Sequence, residues 1–170
     1  MITFSSDTGL THADVLASAA LVEEHFQTAE DEEQAPVTLD QVLWIEKNIP
    51  ECLNVIKDGS AVIGETFMFP ATRALMEQFL RKEINEKQLM TACREHVTYK
   101  NADALYLASA IVLPAYRRQG LALQAFLLSI TKAQTCMQHT PALFCWVYSP
   151  EGAKLAQKIA QQSGLTLHMR

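Results

Sequence analysis

The sequence predicts an α/β domain with a mixed central sheet flanked by helices, and three observations carry that expectation. Two runs, "ALYLASAIVL" at 104–113 and "ALFCWVY" at 142–148, are almost wholly apolar, as strands buried on both faces are. Each is followed by a stretch of helical periodicity, from about 120 to 137 and over 150–163, which makes two strand–helix crossover units. Ahead of them, "CLNVIKDGSAVIGETFMF" (52–69) holds two β-rich segments around Asp58-Gly59, a pair suited to the positive φ of a tight hairpin turn.

The remaining elements follow in order. After a short strand, "ITF", Thr11 with Asp14 reads as a capping box that opens a helix through about Phe26, with Val15, Ala19 and Val22 on one apolar stripe. Thr38 with Gln41 repeats the box, and Leu39, Val42, Leu43 and Ile45 form an apolar face until Asn48 and Pro50 end it. Beyond the hairpin, Pro70 suits a first helical turn with a helix over 71–82, and Asn85 with Gln88 caps another to about His96. These two add an extra helical segment between the hairpin and the central strand. Gly164 ends the last helix, and "LTLHMR" is a terminal strand.

Residues 1–170 are of a size for one domain. With 49% hydrophobic and 19% charged residues, and no apolar stretch near the roughly 20 a membrane span needs, the composition is that of a soluble protein. The N-terminus lacks the basic and apolar regions of a secretory signal, which makes the cytoplasm the default location. Cys52, Cys93, Cys136 and Cys145 show no zinc spacing and read mostly as reduced, packed thiols. His12, His25, His96, His139 and His168 stand singly, so neither a metal nor a Cys–His nucleophile is expected. The net charge is −5 and no basic stripe is present, which argues against nucleic acid as a partner. The acidic "EDEEQ" at 30–34 reads as a solvated loop, with attraction of a cationic substrate as the alternative.

The junction "VLPAYRRQGLALQAFLL" (112–128) is the most informative stretch. A strand is followed by a helix whose start carries Arg117, Arg118, Gln119 and Gly120 where Ser, Asp or Asn usually caps. The unpaired amides and positive dipole of such a helix start make an anion site. Gly120 allows close backbone approach, Ala122 keeps the first turn small, and the two arginines suit phosphate geometry. A pyrophosphate would fit there.

The segment "VLPAYRRQGLA" resembles the acetyl-CoA motif of the GNAT superfamily of N-acetyltransferases, with the pattern Val-x-Pro-x-Tyr-Arg-Arg-x-Gly-x-Gly/Ala. The similarity extends over the hairpin at 52–69 and residues 103–168, a little under half of the chain. It implies a GNAT-like sheet and transfer of an acetyl group from acetyl-CoA, without a metal, to a small-molecule or peptide amine. By the same resemblance, amides from Arg118 through Gln119, Gly120 and Leu121 to Ala122 would hold the CoA pyrophosphate, with Arg117 or Arg118 nearby. Ile111 and Val112 would pair with the pantetheine arm through their main chains, and the Val112 N–H would polarise the thioester carbonyl.

The family pattern is incomplete. Many relatives carry Asn-x-x-Ala-x-x-x-Tyr-x-x-x-Gly-Phe in the last helix, the tyrosine protonating the departing thiolate; this chain keeps Ala156 but has Ala153 and Ala160 in place of the Asn and Tyr. Water or another hydroxyl would suffice, because a thiol pKa lies near ~8.5. For the base that an attacking amine needs, three candidates lie near the expected cleft: Tyr106, Tyr148 and Glu65. Each also has a structural reading, the tyrosines as packing and Glu65 as a solvent-facing strand residue. Relatives commonly continue past "LTLHMR" into a further strand, so the sheet edge here would be open or covered by the N-terminal strand, the helical segment or a second copy in a homodimer. A CoA-binding regulatory or interaction module is the alternative to an enzyme.

Overall fold

The computed structural model describes residues 1–26 and 31–170, so that Glu30 of the acidic stretch lies outside the described residues. One six-stranded sheet runs through the molecule in chain order: β1 (Ile2–Phe4), β2 (Leu53–Asp58), β3 (Ala61–Ala71), β4 (Ala104–Val112), β5 (Ala142–Cys145) and β6 (Leu167–Met169). The first four strands are antiparallel to their neighbours, whereas β4–β5 and β5–β6 are parallel, as two strand–helix crossovers require. Among the described residues seven α-helices accompany it: α1 (Ser5–Thr8), α2 (His12–Phe26), α3 (Leu39–Asn48), α4 (Arg73–Leu80), α5 (Glu86–His96), α6 (Leu121–Cys136) and α7 (Pro150–Ser163). Among the described residues no helix is long and apolar enough to cross a membrane.

The caps explain most helix boundaries. Thr11 and Asp14 form the reciprocal box at α2, each backbone N–H reaching the other's side chain at 3.2 Å, and Asn85 with Gln88 does the same at α5. At α3 only the forward half forms, from the Gln41 N–H to Thr38 Oγ1. Ser149 caps α7, and Gly164 ends it at φ +72°.

Opposite faces of the sheet carry different helices. From β2, Asn54 donates to the Ala125 carbonyl of α6, whereas Lys57 pairs with Asp14 of α2 at 3.0 Å. Helices α6 and α7 pack together on the first face; α2, α3 and α5 cover the second. The short α1, which the sequence did not signal, serves the fully buried Asn54: its amide nitrogen donates to Ser6 Oγ at 3.0 Å, and Ser5 Oγ accepts from the Val55 N–H at 2.9 Å. Three of the four cysteines are buried; Cys136 is exposed.

Three expectations need correction. Pro70 and Ala71 do not begin a helix; they end β3, opposite Leu105 and Ala104, and Thr72 caps α4 instead. Strand β2 stops opposite Phe67, so β3 beyond it has a locally free edge that tolerates proline. The hairpin loop is Gly59-Ser60, one residue later than the Asp58-Gly59 reading, with Gly59 at φ +61°. Most consequentially, β5 ends at Cys145 and Trp146–Tyr148 part from β4, with the Val147 N–H still bonded to the Arg170 carbonyl at 3.3 Å.

Strands β1 and β6 form the sheet edges, so the N-terminal strand does not cover β6. The helical segment reaches that end through Arg170, whose guanidinium lies 4.6 Å from the Phe79 ring centre and 4.8 Å from that of Trp146. It also donates to the Ile84 carbonyl at 3.2 Å.

Candidate active site

The early end of β5 opens the site. Strand β4 last pairs with β5 at Leu107–Cys145, then continues along β3 for five more residues, Ala108–Val112. The resulting wedge is an open cleft of about 620 Å³ between β4 and the departing Trp146–Tyr148 segment, floored by Phe126 of α6 and Ala156 of α7. Register decides what β4 presents to it. The Leu113 N–H bonds to the Ile63 carbonyl at 2.8 Å, which makes Ile111 and Glu65 the next hydrogen-bonded pair along an antiparallel ladder. Val112 and Ala110 then aim their main-chain groups away from β3, toward the wedge. The expectation that Ile111 would meet a ligand through its main chain is corrected on this point, since its groups serve Glu65. Gly64, opposite Val112, permits the close approach: a Cβ there would lie 2.5 Å from the Ile111 carbonyl oxygen.

At the end of β4 the chain turns through Pro114–Tyr116 into Arg117–Gly120 and enters α6. Gly120 is the cap residue, at φ +76°, and no side chain bonds to the first-turn amides, so Leu121 and Ala122 present the donors of an uncapped helix start. The space beside Gly120 is open. Arg118 is held at φ +64°, a conformation that costs a residue with a Cβ about 1–2 kcal/mol. Arg117 donates through Nε to the Val112 carbonyl at 2.9 Å, which fastens the turn to the strand end. Phe4, Ile56, Ile63, Leu121 and Ala125 form a small core beneath this turn and fix the α6 start against the hairpin. Gln119 is exposed beside it.

A second cavity, of about 800 Å³, lies across the sheet between α2, α3 and α5 and the strands β3 and β4. It shares Phe26, Ala108 and Ser109 with the wedge, so the two spaces meet at the middle of β4. Glu65 lines the second space and touches the first only through Ser109, which lines both. It is fully buried; Oε1 accepts from Ser109 Oγ at 2.8 Å, and among the described residues Oε2 has no hydrogen-bond partner. Burial pushes its carboxyl up to about 7. The hydroxyls of Ser109 and Ser18 oppose that shift, and Ser18 does not reach Oε2 in bonding geometry.

The two tyrosines sit differently. Tyr106 is 1% exposed, packed among Phe69, Phe79 and Phe144, and donates to Glu86 Oε1 at 2.7 Å. Burial and the adjacent carboxylate raise its hydroxyl well above the ordinary value, and it lines neither space. Tyr148 lines the wedge, half-exposed, with its ring 4.6 Å from that of Trp146. Burial raises its hydroxyl too, which makes it a hydrogen-bond donor and a poor source of a free proton. Ser109, Ser18, Glu86 and Phe26 were not singled out from the sequence, because each is joined to Glu65 only by the fold; Ser109 lies 44 residues away along the chain. Among the described residues no group of three or more His, Cys, Asp or Glu could hold a metal ion.

No family model and no curated protein matches the sequence. Solved structures do match in shape. Polyamine N-acetyltransferase of Drosophila melanogaster, described as forming N-acetylagmatine, superposes with a TM-score of 0.57 at 13% identity, over 94% of this chain and 82% of that one. Ribosomal-protein-alanine N-acetyltransferase from Brucella melitensis biovar Abortus 2308 is a looser likeness, with a TM-score of 0.49 at 13% identity, covering 94% and 90%. At this identity the likeness is one of architecture: a mixed six-stranded sheet, opened between β4 and β5 and flanked by helices, is the GNAT fold that the motif at 112–122 implies.

Proposed function

We propose that the protein transfers an acetyl group from acetyl-CoA to a primary amine by direct attack, with Glu65 as the base. The observation that carries this reading is the buried Glu65 carboxyl, with one oxygen unpartnered among the described residues, bonded to the Ser109 that lines both spaces. The residues present fit the donor: an uncapped α6 start with open space at Gly120 suits a pyrophosphate, and the Val112 N–H, on a residue whose carbonyl already accepts from Arg117, is turned away from β3 toward a carbonyl of the donor. Arg117 and Arg118 flank that start. When bound, acetyl-CoA supplies a thioester carbonyl carbon for attack and a thiol leaving group.

The protein's part is proton handling and placement. An ammonium entering the apolar cavity pairs with ionised Glu65, and a buried pair among apolar groups favours the neutral form of both partners. Proton transfer from nitrogen to Oε2 therefore leaves a neutral amine facing β4. The Val112 N–H is the donor positioned to polarise the carbonyl. The thiolate needs no strong acid, which fits Ala160 in place of a tyrosine and a Tyr148 hydroxyl raised above its ordinary value by burial.

Thermal unfolding with millimolar acetyl-CoA, followed by thiol release across an amine panel, tests the reading. Stabilisation by mass action and amine-dependent release are expected. Absence of stabilisation removes the donor site; stabilisation without turnover favours a CoA-binding module.

A further inference from the structure

The cavity on the α2–α3 side has its own chemistry. Val15, Val22, Val42, Ile45, Phe67 and Phe69 dominate its wall. Among the described residues only two charged side chains line it, Glu65 and Glu86. Both Glu86 oxygens are already engaged: Oε1 accepts from Tyr106 and Oε2 from the Ala35 N–H at 3.0 Å, a bond that ties the loop before α3 to α5. Glu65 has one open position. The wall thus provides for a single nitrogen and surrounds it with apolar surface.

Resting on the acyl-transfer reading, we infer that the acceptor taken here is a monoamine with an uncharged apolar body, rather than a polyamine or a peptide. A second ammonium would enter this wall without a free carboxylate, and a charge buried unpaired is costly. A peptide would bury backbone N–H and C=O groups against Val and Phe side chains, with only Ser18, Gln34 and Gln41, among the described residues, as neutral polar partners besides Ser109. An alkyl or aryl body instead gains from every methylene that leaves water, at about 0.8 kcal/mol each, or roughly fourfold in kcat/KM.

The test is steady-state acetylation of propylamine through hexylamine, of 1,6-diaminohexane and of a short peptide with a free N-terminus, near neutral pH. A rise of about three- to fourfold in kcat/KM per methylene is expected, with hexylamine at least about tenfold above the diamine and the peptide. A flat alkyl series, or a diamine or peptide equal to hexylamine, overturns the acceptor assignment while leaving acyl transfer to amines standing. Acetyl-CoA binding with no turnover of any amine overturns both. Val22→Lys places a cation on the half-buried cavity wall. It is expected to lower kcat/KM for hexylamine by about tenfold or more with acetyl-CoA affinity unchanged; hexylamine kinetics like those of the unaltered protein would show that the amine binds elsewhere.

Discussion

The two halves of the proposed site are built from different material. On the donor side, β4 and the turn into α6 offer main-chain groups: outward amides at Val112, uncapped amides at Leu121 and Ala122, and a left-handed Gly120 that keeps the approach open. On the acceptor side the contacts are side chains, Glu65, Ser109 and an apolar wall drawn from α2, α3, β3 and β4. A cradle of backbone can be written in consecutive residues, because strand, turn and helix follow one another along the chain. A pocket of side chains needs the whole fold to assemble it. The first should therefore be recognised in sequence and fail as a unit, and the second should be silent in sequence and fail residue by residue.

The largest separation of the halves should come from Glu65→Gln. It keeps shape and the Ser109 contact but removes the base, and is expected to lower kcat by about 10²–10⁴-fold with acetyl-CoA affinity unchanged. Stability supplies an independent readout. The native carboxyl protonates at about 7, against an ordinary 4.5, so the folded protein holds the extra proton between those values. Its contribution is fully present below about 4.5 and is lost as pH rises through about 7; the glutamine variant should lack that decline. Glu86, also raised by burial, acts in the same sense in both proteins.

Gly120→Glu should break the other half. A carboxylate replaces open space at the α6 start, where the dipole and amides favour an external anion, and acetyl-CoA affinity is expected to fall by about tenfold or more in a binding titration. The left-handed φ adds a stability cost of about 1–2 kcal/mol. An unchanged affinity would remove the phosphate site.

Tyr106→Phe should have the smallest effect on rate. It strips Glu86 Oε1 of its donor inside the core, a loss of about 1–3 kcal/mol in denaturant unfolding. Turnover at a temperature where the variant is folded should change less than about twofold, because the hydroxyl lines neither space; a loss as large as that of Glu65→Gln would return Tyr106 to the proton path.

What the sequence revealed follows the same division. The "VLPAYRRQGLA" junction, the caps of α2, α5 and α7 and the hairpin are local patterns, and the structure has them with shifts of a residue or so. What escaped depends on pairing across the sheet. The apolar run 142–148 reads as one strand, yet Trp146–Tyr148 line the wedge and Trp146 packs on Arg170, and hydrophobicity does not report which neighbour buries a residue. Pro70 reads as a helix start because its fixed φ suits one; only the length mismatch between β2 and β3 makes it a strand residue. Ile111 and Val112 look equivalent in sequence, and a hydrogen-bond ladder of period two separates them. Glu65 was legible as an acidic residue on the hairpin, but its burial, its unpartnered oxygen and its contact with Ser109 are products of the closed sheet.

The central claim is that Glu65 accepts the proton from the incoming amine, and the pH dependence of kcat/KM for a simple alkylamine tests it most directly. With Glu65 as base, the rate should fall tenfold per unit below a break at about pH 7 and level off above it. A rate that climbs tenfold per unit without a break toward the pKa of the free amine, near ~10, would mean that the protein selects amine already neutral in solution, and would contradict the claim.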